Sequence, residues 1–586
     1  MELLSGNEAI ARGAWEAGAS IGVAYPGTPS TETMEAFAKL PDVYAEWAPN
    51  EKVAVEVCVG ASAAGSRVLS SMKHVGVNVA ADPLFTAAYT GVNGGFVLLA
   101  ADDPGMHSSQ NEQDSRFYGL AAHIPVLEPA DSREALSFTK DAFDLSERFD
   151  TPIIIRSTVR VSHTKCPVEL GERNAYTPKE YKKDPSKWVM MPLYAKQRRI
   201  VLEERLADLR QWVETCPYNQ VIAPCEPSAH GASRFGVICS GATYQHVREA
   251  LPEAHILKLG VTYPLPAEMI CQFSASVDEV YVVEEGSDYL SNQVSSLGIE
   301  LCEPENPLCS WGELTPRDIQ EAFGFCDPLG TQPVEGLPGR PPALCAGCPH
   351  RLVFRELSRM RCIVTGDIGC YTLGALAPLN AMDSTLDMGA SISMAHGFEL
   401  ALAHKSHHAP VVAVIGDSTF THSGITSLLN TVYNTGAGTV CILDNRTTAM
   451  TGHQGNPVNG ITLQHRPSKE VDLVALCRAL GVEDVVCADP FDLSHVRQAL
   501  TQATQATDRL SVIIFKGPCV MLEKQHPAPY QVHDCRGCSI CSLLGCPAIA
   551  FDRESRIASI DANACVGCGQ CAQMCGFHCI TQEGGR

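Results

Sequence analysis

Eight cysteines near one end of the chain limit what it can fold into more than any other feature. They stand in two runs, Cys535-x2-Cys538-x2-Cys541-x4-Cys546-Pro and Cys565-x2-Cys568-x2-Cys571-x3-Cys575. The last 56 residues carry little apolar sequence, so bound metal is expected to hold that stretch together. Intervals of this kind wrap thiolates around an iron-sulfur cluster, which moves single electrons and does no bond chemistry by itself. Zinc is the alternative for cysteines in general, but eight in this order fit it poorly. A source of electrons is therefore expected upstream.

Composition bounds the search for it. The 586 residues exceed what one core can serve, which predicts three or four domains. Hydrophobic residues at 45% and the absence of a visible repeat suit ordinary globular α/β material. A formal charge of -22 argues against nucleic acid or an anionic membrane as partner. The opening MELLSGNEAIARGAW lacks a basic stretch followed by an apolar one, and no run of about 18 apolar residues appears later, so a cytoplasmic protein with no membrane partner is expected. Of 26 cysteines, nine follow residue 534 in metal-ligand spacing, which favours reduced thiolates over a disulfide scaffold.

The fold class read from the pattern is multidomain α/β. Apolar runs SIGVAY, GFVLLAA and TPIIIRS alternate with helix-length stretches over 1–165. A polar connection follows over 166–230, ending in a helical segment around RRIVLEERLADLRQWVE. A smaller α/β unit is expected over 231–326, with strands FGVICSG, HILKLGV and EVYVVEE. Five prolines in DPLGTQPVEGLPGRPPAL mark a linker over 327–342. A third α/β domain is expected over 343–530 and the cysteine-rich module over 531–586.

Within the third domain, VVAVIGDSTF reads as a strand ending in Gly416, Asp417 and Ser418. A helix follows with Ile425, Leu428, Leu429 and Val432 on one face, and TVCILDN then ends at Asn445. Both polar residues fall at carboxyl ends of parallel strands, where open α/β sheets bind ligands. An Asp and an Asn there, with Gly416 letting backbone approach, suit an octahedral Mg2+ shared with diphosphate oxygens. A capping Asp and a turn Asn is the alternative.

These residues resemble the diphosphate motif of thiamine-diphosphate enzymes, a serine replacing the usual second glycine. The resemblance implies that Asp417, Asn445 and the carbonyl of Thr447 hold Mg2+. PNEKVAVEVCVGASAAG resembles the pyrimidine-binding domain of 2-oxoacid:ferredoxin oxidoreductases, which makes Glu51 the catalytic glutamate. On local sequence alone Glu51 is equally a dipole partner in a first helical turn, and Glu56 competes with it. AYPGTPSTE resembles the same family's substrate loop, with Thr28 at the position that touches the oxoacid. CAGCPHR, GDIGCY and KGPCVML supply Cys345, Cys348, Cys370 and Cys519, which resemble the set holding a [4Fe-4S] cluster beside the thiamine; a structural zinc is the alternative.

In two-cluster ferredoxins the fourth cysteine of each run ligates the other cluster. That pairs Cys535, Cys538, Cys541 with Cys575, and Cys565, Cys568, Cys571 with Cys546. The first run has one extra residue and the second lacks proline, so Cys579 competes with Cys575. In domain order the chain is similar to alpha subunits of indolepyruvate ferredoxin oxidoreductases, with a pyrimidine domain, a transketolase C-terminal-like domain, a diphosphate domain and a two-cluster ferredoxin module. The resemblance implies oxidative decarboxylation of aryl 2-oxoacids with coenzyme A. Thiamine diphosphate, Mg2+ and three [4Fe-4S] clusters would serve it, with ferredoxin and a smaller beta subunit as partners. Pyruvate or another oxoacid, and a pure electron-transfer protein, are the competing readings.

Overall fold

A computed structural model describes residues 1–225, 234–324, 336–337, 341–403 and 408–582. Most of the proline-rich linker expected over 327–342 therefore lies outside the described residues. The chain forms two compact units, Met1–Pro333 and Val334–Arg586.

The first unit is built on a seven-stranded sheet. Its order is Val261–Tyr263, Val126–Leu127, Ile153–Thr158, Phe96–Asp102, Val68–Lys73, Ile21–Ala24 and Tyr44–Trp47. All neighbours pair in parallel except the first two. The three central strands are buried along their whole length, as a parallel sheet covered on both faces requires. Helix Glu51–Ala63 starts at Asn50, whose side chain accepts the Val53 N–H at 2.9 Å. A second sheet runs Glu279–Val282, Phe235–Ser240, His255–Leu259 and Gln220–Ile222.

Two short strands depart from the segments expected. Gln220–Ile222, inside the stretch expected to be a connection, pairs antiparallel with His255–Leu259. Val261–Tyr263, expected in the smaller α/β unit, pairs antiparallel with Val126–Leu127 and extends the large sheet. Three residues are too few to carry a period-two signal, and each strand covers an edge that would otherwise expose backbone groups.

The second unit holds a fully parallel five-stranded sheet ordered Ile363–Thr365, Val411–Gly416, Gly438–Asp444, Leu510–Lys516 and Asp484–Ala488. Its cysteine-rich end adds two small antiparallel pairs, Tyr530–Val532 with Ile580–Gln582 and Ile549–Asp552 with Ile557–Ile560. This end does not rest on metal alone. Leu544, Ala558, Met574 and Ile580 share one buried cluster with Leu352, Phe354, Val496 and Leu500. Among the described residues no helix is long and apolar enough to cross a membrane.

Candidate active site and electron path

Strand Val411–Gly416 delivers Asp417 to the carboxyl edge of the five-stranded sheet, and strand Gly438–Asp444 delivers Asn445 beside it. Asp417 is 2% exposed. Burial, reinforced by the nearby Asp444 carboxylate, pushes its pKa up to about 7, against a lowering contact from Asn456. The Asn456 amide donates to Asp417 Oδ2 at 3.2 Å. A buried carboxylate made this uncomfortable by its surroundings is suited to a divalent cation, which restores the charged form. The neighbouring turn is held by its own bonds: the Thr447 N–H donates to Asn445 Oδ1 at 3.3 Å, and Thr448 Oγ1 donates to Ser418 Oγ at 2.9 Å. Asp417, Asn445 and Thr447 thus come to one edge of the sheet, and oxygen is the donor that Mg2+ takes. The helix that follows, Ile425–Tyr433, buries Leu428, but Leu429 is 49% exposed and does not share its face.

Four thiols gather next to this edge. The Cys519 N–H donates to the Asn445 carbonyl at 3.0 Å. Cys370 follows a turn whose neighbour Tyr371 lies under Gly416, its hydroxyl 2.7 Å from the Ile368 carbonyl and 2.9 Å from Thr419 Oγ1. Cys345 and Cys348 lie on the turn before helix His350–Met360, where the Cys348 N–H reaches the Cys345 carbonyl at 3.1 Å. The thiols sense one another's charge. Burial pushes Cys348 up to about 12, with Cys345 and Cys370 adding to it, and Cys370 up to about 11, with Cys519 and Cys345 adding. Burial also raises Cys519, with Cys345 and Asp417 adding. Among the described residues no three His, Cys, Asp or Glu side chains converge at the spacing of a single-ion site. A cubane asks for less, because each thiolate binds a different iron.

The tail brings its runs together crosswise. Burial raises Cys541, with Cys535, Cys538 and Cys575 adding. Burial pushes Cys571 up to about 12, with Cys568, Cys546, Cys565 and then Cys541 adding. Around Cys546, Cys565, Cys568 and Cys571 lies a small cavity of about 20 Å³ walled by apolar groups that include Leu544, Ile549, Ile560 and Val566. Cys579 is engaged elsewhere. Its N–H donates to Cys575 Sγ at 3.3 Å, while its own thiol turns to the Asp534 carbonyl at 3.3 Å. The Tyr530 and Ala558 N–H groups donate to Cys565 and Cys535 sulfurs at 3.5 and 3.4 Å.

In the first unit, Glu51 opens its helix and is 4% exposed. Its carboxylate lies so close to Gly76 that a Cβ there would stand 2.7 Å from Oε1. Glu56, the competing carboxylate, is exposed and pairs with Lys52 instead. Thr28 lies on the loop after strand Ile21–Ala24, and its carbonyl accepts from Ser108 Oγ at 3.4 Å. Lys73, at the end of the adjacent strand, connects these groups. Its ammonium donates to the Ser108 carbonyl at 2.9 Å. Burial pulls its pKa down while Asp103 and Glu51 pull it up.

Nothing in the sequence singles out Lys73, Asn456 or Tyr371. Each acts across a large sequence gap, and no local spacing marks them. In the basic run KQRR, 196–199, Arg198 donates to the Tyr89 carbonyl at 2.6 Å and pairs with Asp150 at 2.8 Å, and Arg199 pairs with Glu203.

Three protein families match parts of this chain. The family described as "Pyruvate flavodoxin/ferredoxin oxidoreductase, thiamine diP-bdg" matches residues 12–215. "Thiamine pyrophosphate enzyme, C-terminal TPP binding domain" matches 367–515, and "4Fe-4S binding domain" matches 558–581. Curated relatives named indolepyruvate oxidoreductase subunit IorA align almost end to end. That of Thermococcus kodakarensis is 38% identical over 98% of this chain and 96% of its own length. That of Archaeoglobus fulgidus is 39% identical over 98% and 96%. That of Methanothermobacter marburgensis is 37% identical over 100% and 97%.

Proposed function

The chain belongs to the indolepyruvate oxidoreductase IorA family of thiamine-diphosphate-dependent oxidoreductases, and from that premise we propose that it decarboxylates aryl 2-oxoacids oxidatively. Coenzyme A would take the acyl group as a thioester, carbon dioxide would leave, and three [4Fe-4S] clusters would supply the route by which two electrons reach ferredoxin one at a time. The observation that carries the electron route is the bond between the Cys519 N–H and the Asn445 carbonyl, which joins the diphosphate end to the thiol set. The relatives' printed name supports the aryl substrate.

Thiamine diphosphate, when bound, supplies the electron sink into which the carboxylate's bonding pair is released. Asp417, Asn445 and the Thr447 carbonyl would hold Mg2+ for the diphosphate. Glu51, shielded from water, holds and returns a proton at a ring nitrogen of the cofactor. Thr28 and the Lys73 ammonium receive the oxoacid carboxylate. Cys345, Cys348, Cys370 and Cys519 would hold the first cluster; Cys546, Cys565, Cys568 and Cys571 the second; Cys535, Cys538, Cys541 and Cys575 the third. Contacts within the unit support that order. A Cβ on Gly347 would stand 3.7 Å from the Cys568 Cβ, while Cys541 and Cys571 bring the two tail sets side by side. A smaller beta subunit would complete the enzyme; the relatives' printed name, that of a subunit, supports a partner chain.

The test is a survey of oxoacids on the anaerobically produced complex with coenzyme A and a dye acceptor. Indolepyruvate and phenylpyruvate are expected to exceed pyruvate at least tenfold in kcat/KM. Equal turnover of pyruvate would replace the aryl assignment with a general 2-oxoacid one. No dye reduction with any oxoacid, from a protein whose clusters still relay electrons from dithionite to the dye, would leave only an electron carrier.

A further inference from the structure

Arg351 has no carboxylate partner among the described residues, yet it is 2% exposed. It lies in the first turn of helix His350–Met360, where the helix dipole already presents positive charge and disfavours a cation. Burial pulls its pKa down; the thiols of Cys546, Cys348, Cys345 and Cys568, in that order, push it back up. These thiols belong to two different sets, so the guanidinium stands between the first and second cluster positions. Its bonds span the same gap. Nε donates to the Cys345 carbonyl at 2.9 Å, one Nη to the Leu544 carbonyl at 2.7 Å, and the other Nη to the Leu344 carbonyl. Arg351 also lines the cavity enclosed by Cys546, Cys565, Cys568 and Cys571. Nearby, Gln570 ties the same two loops by donating to the Cys348 carbonyl at 3.0 Å. A buried cation on a helix N-terminus is costly unless anions answer it. Clusters held by four thiolates are such anions, and each gains one more negative charge on reduction.

We propose that Arg351 is a positioning residue of the electron path, whose fixed charge raises the reduction potentials of the two clusters it stands between. The inference rests on the cluster ligand sets proposed above. In the step it serves, the first cluster is oxidised by one electron as the second is reduced by one. No proton moves, because a guanidinium keeps its own. The charge stabilises the reduced form on both sides of the gap, so the electron meets no deep electrostatic step between them. The third cluster, beyond Cys571, feels it least.

The experiment uses the complete enzyme with its partner subunit, purified anaerobically as wild type, Arg351→Gln and Arg351→Lys. Iron content and redox-poised EPR are read on each. In Arg351→Gln the first two clusters are expected to become at least tenfold harder to reduce at fixed potential, a shift of 59 mV for one electron, with the third changed much less. Arg351→Lys, which keeps the charge, is expected to retain wild-type potentials. An equal shift in all three clusters, no shift in any, or the same shift in the lysine variant overturns the proposal. Should the glutamine variant lose iron, the lysine variant decides. Full loading with unshifted potentials supports the role of charge, and loss of iron from it as well overturns that role in favour of shape. A wild type with fewer than about twelve irons per chain overturns the ligand sets themselves, and that failure is distinct because it appears before any variant is made.

Discussion

Gly416→Ala tests whether the diphosphate edge and the first thiol set are mechanically one site. Gly416 has φ -82° and ψ 163°, an ordinary extended conformation, so alanine adds no backbone strain. The added Cβ, however, would stand 2.4 Å from Tyr371 Cε1 and 3.2 Å from Cζ. The ring cannot swing aside cheaply, because it is buried and its hydroxyl is held by Ile368 and Thr419. Either the Gly416–Asp417 turn or the Cys370–Tyr371 segment must move by about an ångström, and overpacking of this kind costs about 1–3 kcal/mol. In a unit of this size each kcal/mol lowers Tm by about 2–4 °C, so a fall of about 2–12 °C is expected in calorimetry of the loaded enzyme. Thiamine diphosphate retention and the iron of the first cluster should fall together. Adding Tyr371→Leu removes the obstructing ring, and the cost of Gly416→Ala should then shrink by at least half, a coupling that a double-mutant cycle reads directly. An alanine variant with wild-type Tm, cofactor content and iron would mean that the two segments move independently.

Three further outcomes are expected. Glu51→Gln should lower oxoacid turnover by about 10²–10⁴-fold while thiamine diphosphate and iron contents stay at wild-type levels, whereas Glu56→Gln should leave turnover unchanged. Asp150 accepts from Lys187 at 2.8 Å, Arg198 at 2.8 Å and Arg205 at 3.2 Å; burial pushes its carboxyl up, but these cations outweigh it and hold the pKa below the usual value. Asp150→Ala should therefore cost about 2–3 kcal/mol at neutral pH. Because the folded pKa is depressed, that contribution is full above the ordinary carboxylate range and vanishes as pH falls through the folded value, so wild type and variant should converge in Tm only in acid. Cys575→Ala should lose about four irons, while Cys579→Ala, which keeps the N–H that meets Cys575, should keep them all; iron and sulfide analysis separates the two.

Much of this architecture is legible along the chain because its signals are local. Asp417 and Asn445 fall at the ends of apolar runs, and parallel strands put such ends on one edge whatever the sequence between them. The tail thiols announce themselves by spacing, and their crosswise grouping follows from the ligand rule that such runs obey. Helical spacing misplaced Leu429 because a periodic apolar residue can still face away from the sheet. The strands Gln220–Ile222 and Val261–Tyr263 stayed hidden because three residues carry no period. Lys73 and Arg351 were illegible for another reason. A lysine ending a strand and an arginine opening a helix look like ordinary surface charges until the fold buries them against groups from distant loops. The shared core of the tail and the five-stranded sheet is likewise a tertiary fact: its apolar residues are too few to notice alone and sufficient once Leu352 and Phe354 meet them.

The proposed chemistry turns above all on electrons leaving the oxoacid through the cluster that Cys519 helps to hold. Substituting Cys519→Ala removes one thiolate and leaves intact the backbone bond from its N–H to Asn445. With a carboxyl-labelled aryl oxoacid, release of labelled carbon dioxide and reduction of ferredoxin are measured side by side. The variant is expected to go on releasing label while rapid ferredoxin reduction disappears; ferredoxin reduced at the wild-type rate would remove this cluster from the path.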